Sequence, residues 1–107
     1  MDELFDYIIT KATEIFNLAA KKHGLKEAKT SHVNQVFGAR IRKDGKEAAI
    51  DAISTGESIL IHLSSGAVAF KEDYVTEPKT IQEFDQEIPK IEAYITDCFS
   101  LKVVKRN

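Results

Sequence analysis

Between Val36 and Lys71 the chain permits three successive hairpins, and all three put the same apolar side chains on one face. Asp44-Gly45 is the strongest turn signal, because both central positions of a type I′ turn need positive φ and this dipeptide supplies it at little cost. Pairing outward opposes Arg42 with Glu47, a favourable cross-strand pair, then Ile41 with Ala48, Ala39 with Ile50 and Phe37 with Ala52. A turn at Thr55-Gly56 opposes Ala52 with Ile59, Ile50 with Ile61 and Ala48 with Leu63. One at Ser65-Gly66 opposes Leu63 with Val68 and Ile61 with Phe70. Side chains alternate with period two along a strand, so a one-residue slip in any hairpin would scatter this set.

The buried face thus predicted holds Phe37, Ala39, Ile41, Ala48, Ile50, Ala52, Ile59, Ile61, Leu63, Val68 and Phe70. The reverse face is mixed. It is polar around Arg40 and Arg42 and more apolar around Val36, Ile53 and Leu60, with Asp51 and His62 between. An antiparallel sheet can leave such a face in water or present it to a partner.

Helices flank the sheet. From residue 3 to 23, Leu4, Phe5, Ile8, Ala12, Ile15, Phe16 and Ala19 recur at helical spacing, with Tyr7 and Leu18 widening the stripe. Lys21, Lys22 and His23 suit the negative end of the helix dipole, and Gly24 suits the C′ position. A second helical pattern starts at Thr80, whose spacing to Glu83 matches a capping box. Pro89 interrupts that pattern and predicts a kinked or broken helix. Leu101–Val104 reads as a short edge strand, and Lys26–Ser31 and Glu72–Lys79 read as loops. The expected fold is therefore α+β with two-layer packing: an N-terminal helix, a four-stranded antiparallel meander and a C-terminal kinked or broken helix.

At 107 residues and 43% hydrophobic content the chain has room for one core, so residues 1–107 read as a single domain. Its one cysteine, Cys98, cannot close an internal disulfide, and no secretory signal or long apolar run is apparent. A cytoplasmic location without membrane association is the expectation. His23, His32 and His62 lack a familiar zinc spacing, and the five glycines are scattered, so no metal, cofactor or phosphate-loop signature emerges. His62 is the best catalytic candidate, yet the register above places no carboxylate opposite it, and no residue is assigned a catalytic role. Cys98, on the apolar side of its helix, reads as a core residue.

Charge is segregated along the chain. Eight basic residues stand against Glu27 and Asp44 between Lys21 and Lys46, a balance of +6, and eight acidic residues stand against Lys79 and Lys90 between Glu72 and Asp97, a balance of −6. The total is only −2. Such a dipolar chain can steer a charged partner. The leading expectation is a small protein-binding module, inhibitory, immunity-like or chaperone-like, using Glu83, Asp85 and Glu87 on the second helix or Arg40, Arg42, Asp51, Leu60 and His62 on the sheet surface. A nucleic-acid-binding accessory protein using Arg40, Arg42, Lys43 and Lys46 is the alternative, and a small enzyme ranks last. An unpaired first strand would also allow a homodimer by sheet extension.

Overall fold

The Asp44-Gly45 turn forms as its sequence requires, with φ of 54° at Asp44 and 77° at Gly45. The computed structural model describes residues 2–66 and 71–100. In chain order the elements are α1 (Asp2–Lys22), β1 (Lys29–Val33), β2 (Val36–Lys43), β3 (Lys46–Ser54), β4 (Ile59–Ser65), β5 (Tyr74–Thr76) and α2 (Ile81–Ser100). The strands make one antiparallel meander in the order β1-β2-β3-β4-β5. This is an α+β domain with an N-terminal helix, an antiparallel sheet and a C-terminal helix packed against it.

The β2–β3 register is the one the turn dictates, with Arg42 opposite Glu47 and Phe37 opposite Ala52. The β3–β4 hairpin differs from expectation by two residues: Ile59 faces Ser54, Ile61 faces Ala52 and Leu63 faces Ile50. Its loop has four residues, closed by the Thr55 N–H donating to the Ser58 carbonyl at 2.9 Å. The Ser58 N–H donates in turn to Thr55 Oγ1 at 3.1 Å. A two-residue shift preserves side-chain parity, so the apolar face survives the wrong register. Phe37, Ala39, Ile41, Ala48, Ile50, Ala52, Ile59, Ile61 and Leu63 are all buried.

Two strands lie where loops were expected, so the sheet has five strands among the described residues. β1 pairs along β2 through a turn at Asn34, a residue that tolerates its φ of 54°. β2 is therefore an inner strand rather than an edge. β5 pairs with β4, so Leu63 faces Tyr74 and Ile61 faces Thr76. Val68, Phe70 and the Leu101–Val104 strand lie outside the described residues.

Both helices cover the same sheet face, where Phe5, Ile8, Phe16, Phe84, Ile91 and Ile95 join the strand residues in one core. Leu18, by contrast, is exposed. Gly24 ends α1 at φ 78° in a Schellman arrangement: the Leu25 N–H reaches the Ala20 carbonyl at 2.9 Å and the Gly24 N–H the Lys21 carbonyl at 3.1 Å. Asn17 Oδ1 then accepts the Ala28 N–H at 2.9 Å, aiming the chain into β1. Thr80 caps α2, its Oγ1 accepting the Glu83 N–H at 3.1 Å. α2 runs as one helix through Pro89, which sits on its exposed side, where water can serve the carbonyl that proline leaves without a donor.

Candidate functional site

The pairing of the strands arranges the helix-free face in transverse rows. At one end Val33, Val36, Ile53 and Leu60 stand side by side across four strands, about 14 Å in all. They are 67%, 47%, 37% and 38% exposed, and Val75, in the neighbouring row, is 53% exposed. The next row is Ser31, Gly38, Asp51, His62 and Val75, and beyond it come Lys29, Arg40, Ala49 and Ser64, then Arg42 and Glu47. The surface is thus apolar at one end of the strands and cationic at the other.

The cationic end is under-compensated. Lys29 and Arg40 are directly opposite one another, an arrangement that costs stability when the charges are alike. Among the described residues no carboxylate comes within ion-pair distance of Lys29, Arg40 or Arg42. Glu47 has the register to pair with Arg42 but leans the other way, over Gly66. Between these side chains lie two shallow cavities. One, of about 260 Å³, is floored by Gly38 and Ala49 and walled by Lys29, Arg40, Glu47 and Asp51. The second, of about 360 Å³, lies among Leu25, Glu27, Lys29, Arg40, Arg42 and Glu47. Gly38 keeps the first open, because a Cβ there would sit 3.1 Å from Asp51 Oδ1 and 3.4 Å from Ser31 Oγ.

The four basic residues of the 40–46 hairpin are divided between two faces. Arg40 and Arg42 project from the open face, while Lys43 and Lys46 project toward the helices. Lys43 Nζ donates to the His23 carbonyl at the end of α1, and Lys46 Nζ to the Phe99 carbonyl near the end of α2 at 3.0 Å. Each cation thereby meets the negative end of a helix dipole. The rings of His23 and Phe99 stack between them, with centroids 4.2 Å apart. The α1 terminus and the Asp44-Gly45 hairpin do converge, but on helix carbonyls.

The carboxylates of α2 are also engaged within the chain. Asp85 Oδ1 accepts from Tyr7 of α1 at 2.6 Å, Glu87 Oε2 accepts from Tyr74 of β5 at 2.8 Å, and Glu83 belongs to the cap. Hydrogen bonding to the Asp85 carboxylate, followed by desolvation, raises the Tyr7 phenol above its ordinary pKa.

His62 has more carboxylate company than its sequence suggests. The shifted register puts Asp51 directly opposite it, and Asp73 Oδ2 lies 2.7 Å from its Nε2. That pair ties β4 to the segment entering β5. A general base also needs a positioned proton donor and a pocket that excludes water, and the His62–Asp73 pair lies open on the surface. Cys98 is buried, and burial pushes its thiol up to about 11, far from a reactive thiolate. Among the described residues no group of three or more His, Cys, Asp or Glu side chains could hold a metal, and no helix is long and apolar enough to cross a membrane.

Sequence reasoning singled out Val36, Ile53, Leu60, Arg40 and Arg42 on this face but missed Lys29, Val33, Asp73 and Val75. Their signals were weak: Lys29–Val33 is polar up to its last residue, and Tyr74–Thr76 is a run of only three good strand formers. The class these features define is a two-layer α+β domain with one covered and one helix-free sheet face. The chain matches no protein-family model, no curated protein and no solved structure.

Proposed function

We propose that the protein is a protein-binding module and that the open sheet face is its docking surface. The observation that carries this reading is the row Val33, Val36, Ile53 and Leu60, four neighbouring aliphatic side chains more than a third exposed on a face that neither helix covers. Contiguous exposed apolar surface rimmed by polar groups is characteristic of interaction sites. The carboxylates of α2 contribute less directly, since Asp85 and Glu87 already hold Tyr7 and Tyr74.

The test begins with affinity capture from the native cell after nuclease treatment, followed by binding of the purified captured protein to wild type and to a Val36→Glu/Leu60→Glu variant. The expected result is a loss of affinity of at least about tenfold with circular dichroism unchanged, because both positions are partly in water. Equal binding by the variant would remove the open face from the reading.

A homodimer by sheet extension is the second reading, favoured by the position of β1 at the end of the strand order with all five residues exposed. Light scattering across protein concentration decides it. A strict monomer at tens of micromolar excludes this assembly.

A further inference from the structure

The two ends of the open face differ in chemistry, and that difference constrains what can cover it. Arg40 and Arg42 lie four and six residues along β2 from Val36, about 13 and 20 Å away, and Lys29 stands beside Arg40. All three are exposed cations without a carboxylate within ion-pair distance among the described residues. We infer that the occupant of the face is a segment of another protein, apolar at one end and acidic at the other, whose aliphatic side chains cover the Val33–Leu60 row and whose carboxylates reach Lys29, Arg40 and Arg42. This rests on the docking role proposed above and adds the chemistry of the partner.

A second copy of the chain is a poor occupant. Laid face to face about an axis parallel to the strands, it sets Arg40 and Arg42 against their own counterparts. Turned about the apolar row, it overlaps only along that row, at the very end of the strands, and leaves the cations uncovered. A segment with carboxylates meets both ends at once. An α-helix spans the distance from Val36 to Arg40 or Arg42 in roughly nine to thirteen residues, and an extended strand in four to six. Arg40 and Arg42 are also suited to the task chemically, since guanidinium groups bind carboxylates bidentately. The acceptance is selective: Asp51, in the row between the apolar end and the cations, would repel carboxylates placed along the middle of the segment.

The experiment is selection of peptides of roughly sixteen residues from a random phage-displayed library, with the selected sequences then synthesised and titrated against wild type, Val36→Glu/Leu60→Glu and Arg40→Gln/Arg42→Gln. The expected binders pair an aliphatic cluster with an excess of Asp and Glu. Their affinity falls at least about tenfold in each variant, and also as salt rises from about 0.05 to 0.3 M. Binders lost in Val36→Glu/Leu60→Glu but indifferent to the arginine changes and to salt overturn the acidic partner and leave the docking face standing. Binders indifferent to both variants, or a library that yields none, overturn both. A single-stranded oligonucleotide that binds more tightly than any peptide, and is lost on Arg40→Gln/Arg42→Gln, overturns the inference by assigning the cations to phosphate.

Discussion

Gly66 shows how one missing side chain sets the charge pattern of the open face. An added Cβ would lie 2.8 Å from Glu47 Cβ and closer still to its carboxylate, and the Gly66 N–H already donates to the Glu47 carbonyl at 3.1 Å. Glu47 can lie over Gly66 only because nothing is there. Gly66→Ala is expected to cost about 1–3 kcal/mol, the usual penalty of forcing atoms into filled space, read as a lower urea midpoint. An unchanged midpoint would mean that the strand end yields freely. Gly38 is the contrasting case, since the nearest atom to an added Cβ is the mobile Asp51 Oδ1 at 3.1 Å. The same view explains what was legible at this scale. Asp44-Gly45 announced itself because few dipeptides accept positive φ at both positions as readily, whereas Asn34 carries positive φ alone and sits in a polar stretch with no apolar alternation to point at it. The cation cluster was half visible for that reason: Arg40 and Arg42 were placed by a strong turn, and Lys29 depended on a strand whose residues are all exposed.

At the level of elements, the helices were written plainly and their ends most plainly of all, since Gly24 and Thr80 occupy the positions their chemistry favours. The continuity of α2 was not. A proline inside a helix removes one hydrogen bond and crowds the preceding turn, and whether the helix breaks depends on the packing of both halves. Here Phe84 on one side and Ile91, Tyr94, Ile95 and Cys98 on the other are all buried in the same core, which holds the two halves together as one helix. Pro89 itself is exposed, so its replacement loses little packing. Pro89→Ala is accordingly expected to stabilise the protein by about 1–3 kcal/mol, measured by chemical denaturation, and a destabilised variant would show that the proline ring has a structural role. Thr80→Ala should move stability the other way, by about 1 kcal/mol, with the loss confined to the start of α2 in amide exchange.

At the scale of the whole molecule, two groups on α2 that resist ionisation make stability fall at high pH. Burial pushes the Cys98 thiol up from 9.0 to about 11, and burial likewise pushes the Tyr94 phenol up from 10.0 to about 12 while its hydroxyl donates to the Glu72 carbonyl at 2.9 Å. In each case the folded state holds the proton more tightly than the unfolded chain does. Below pH 9 both groups are protonated in either state and the contribution is fully present. Above pH 9 the unfolded chain releases the thiol proton first, so stability falls as pH rises, and from pH 10 the phenol adds to the slope until the folded-state values near 11 and 12 are passed. The urea midpoint should therefore be level from pH 7 to about 8.5 and decline from pH 9. Cys98→Ala, although less stable throughout because it leaves a small void, should delay the onset of the decline by about one pH unit, leaving the tyrosine as the first of the two groups to ionise. A wild-type midpoint level to pH 10.5, or an onset unmoved in Cys98→Ala, would show that this thiol does not govern alkaline unfolding.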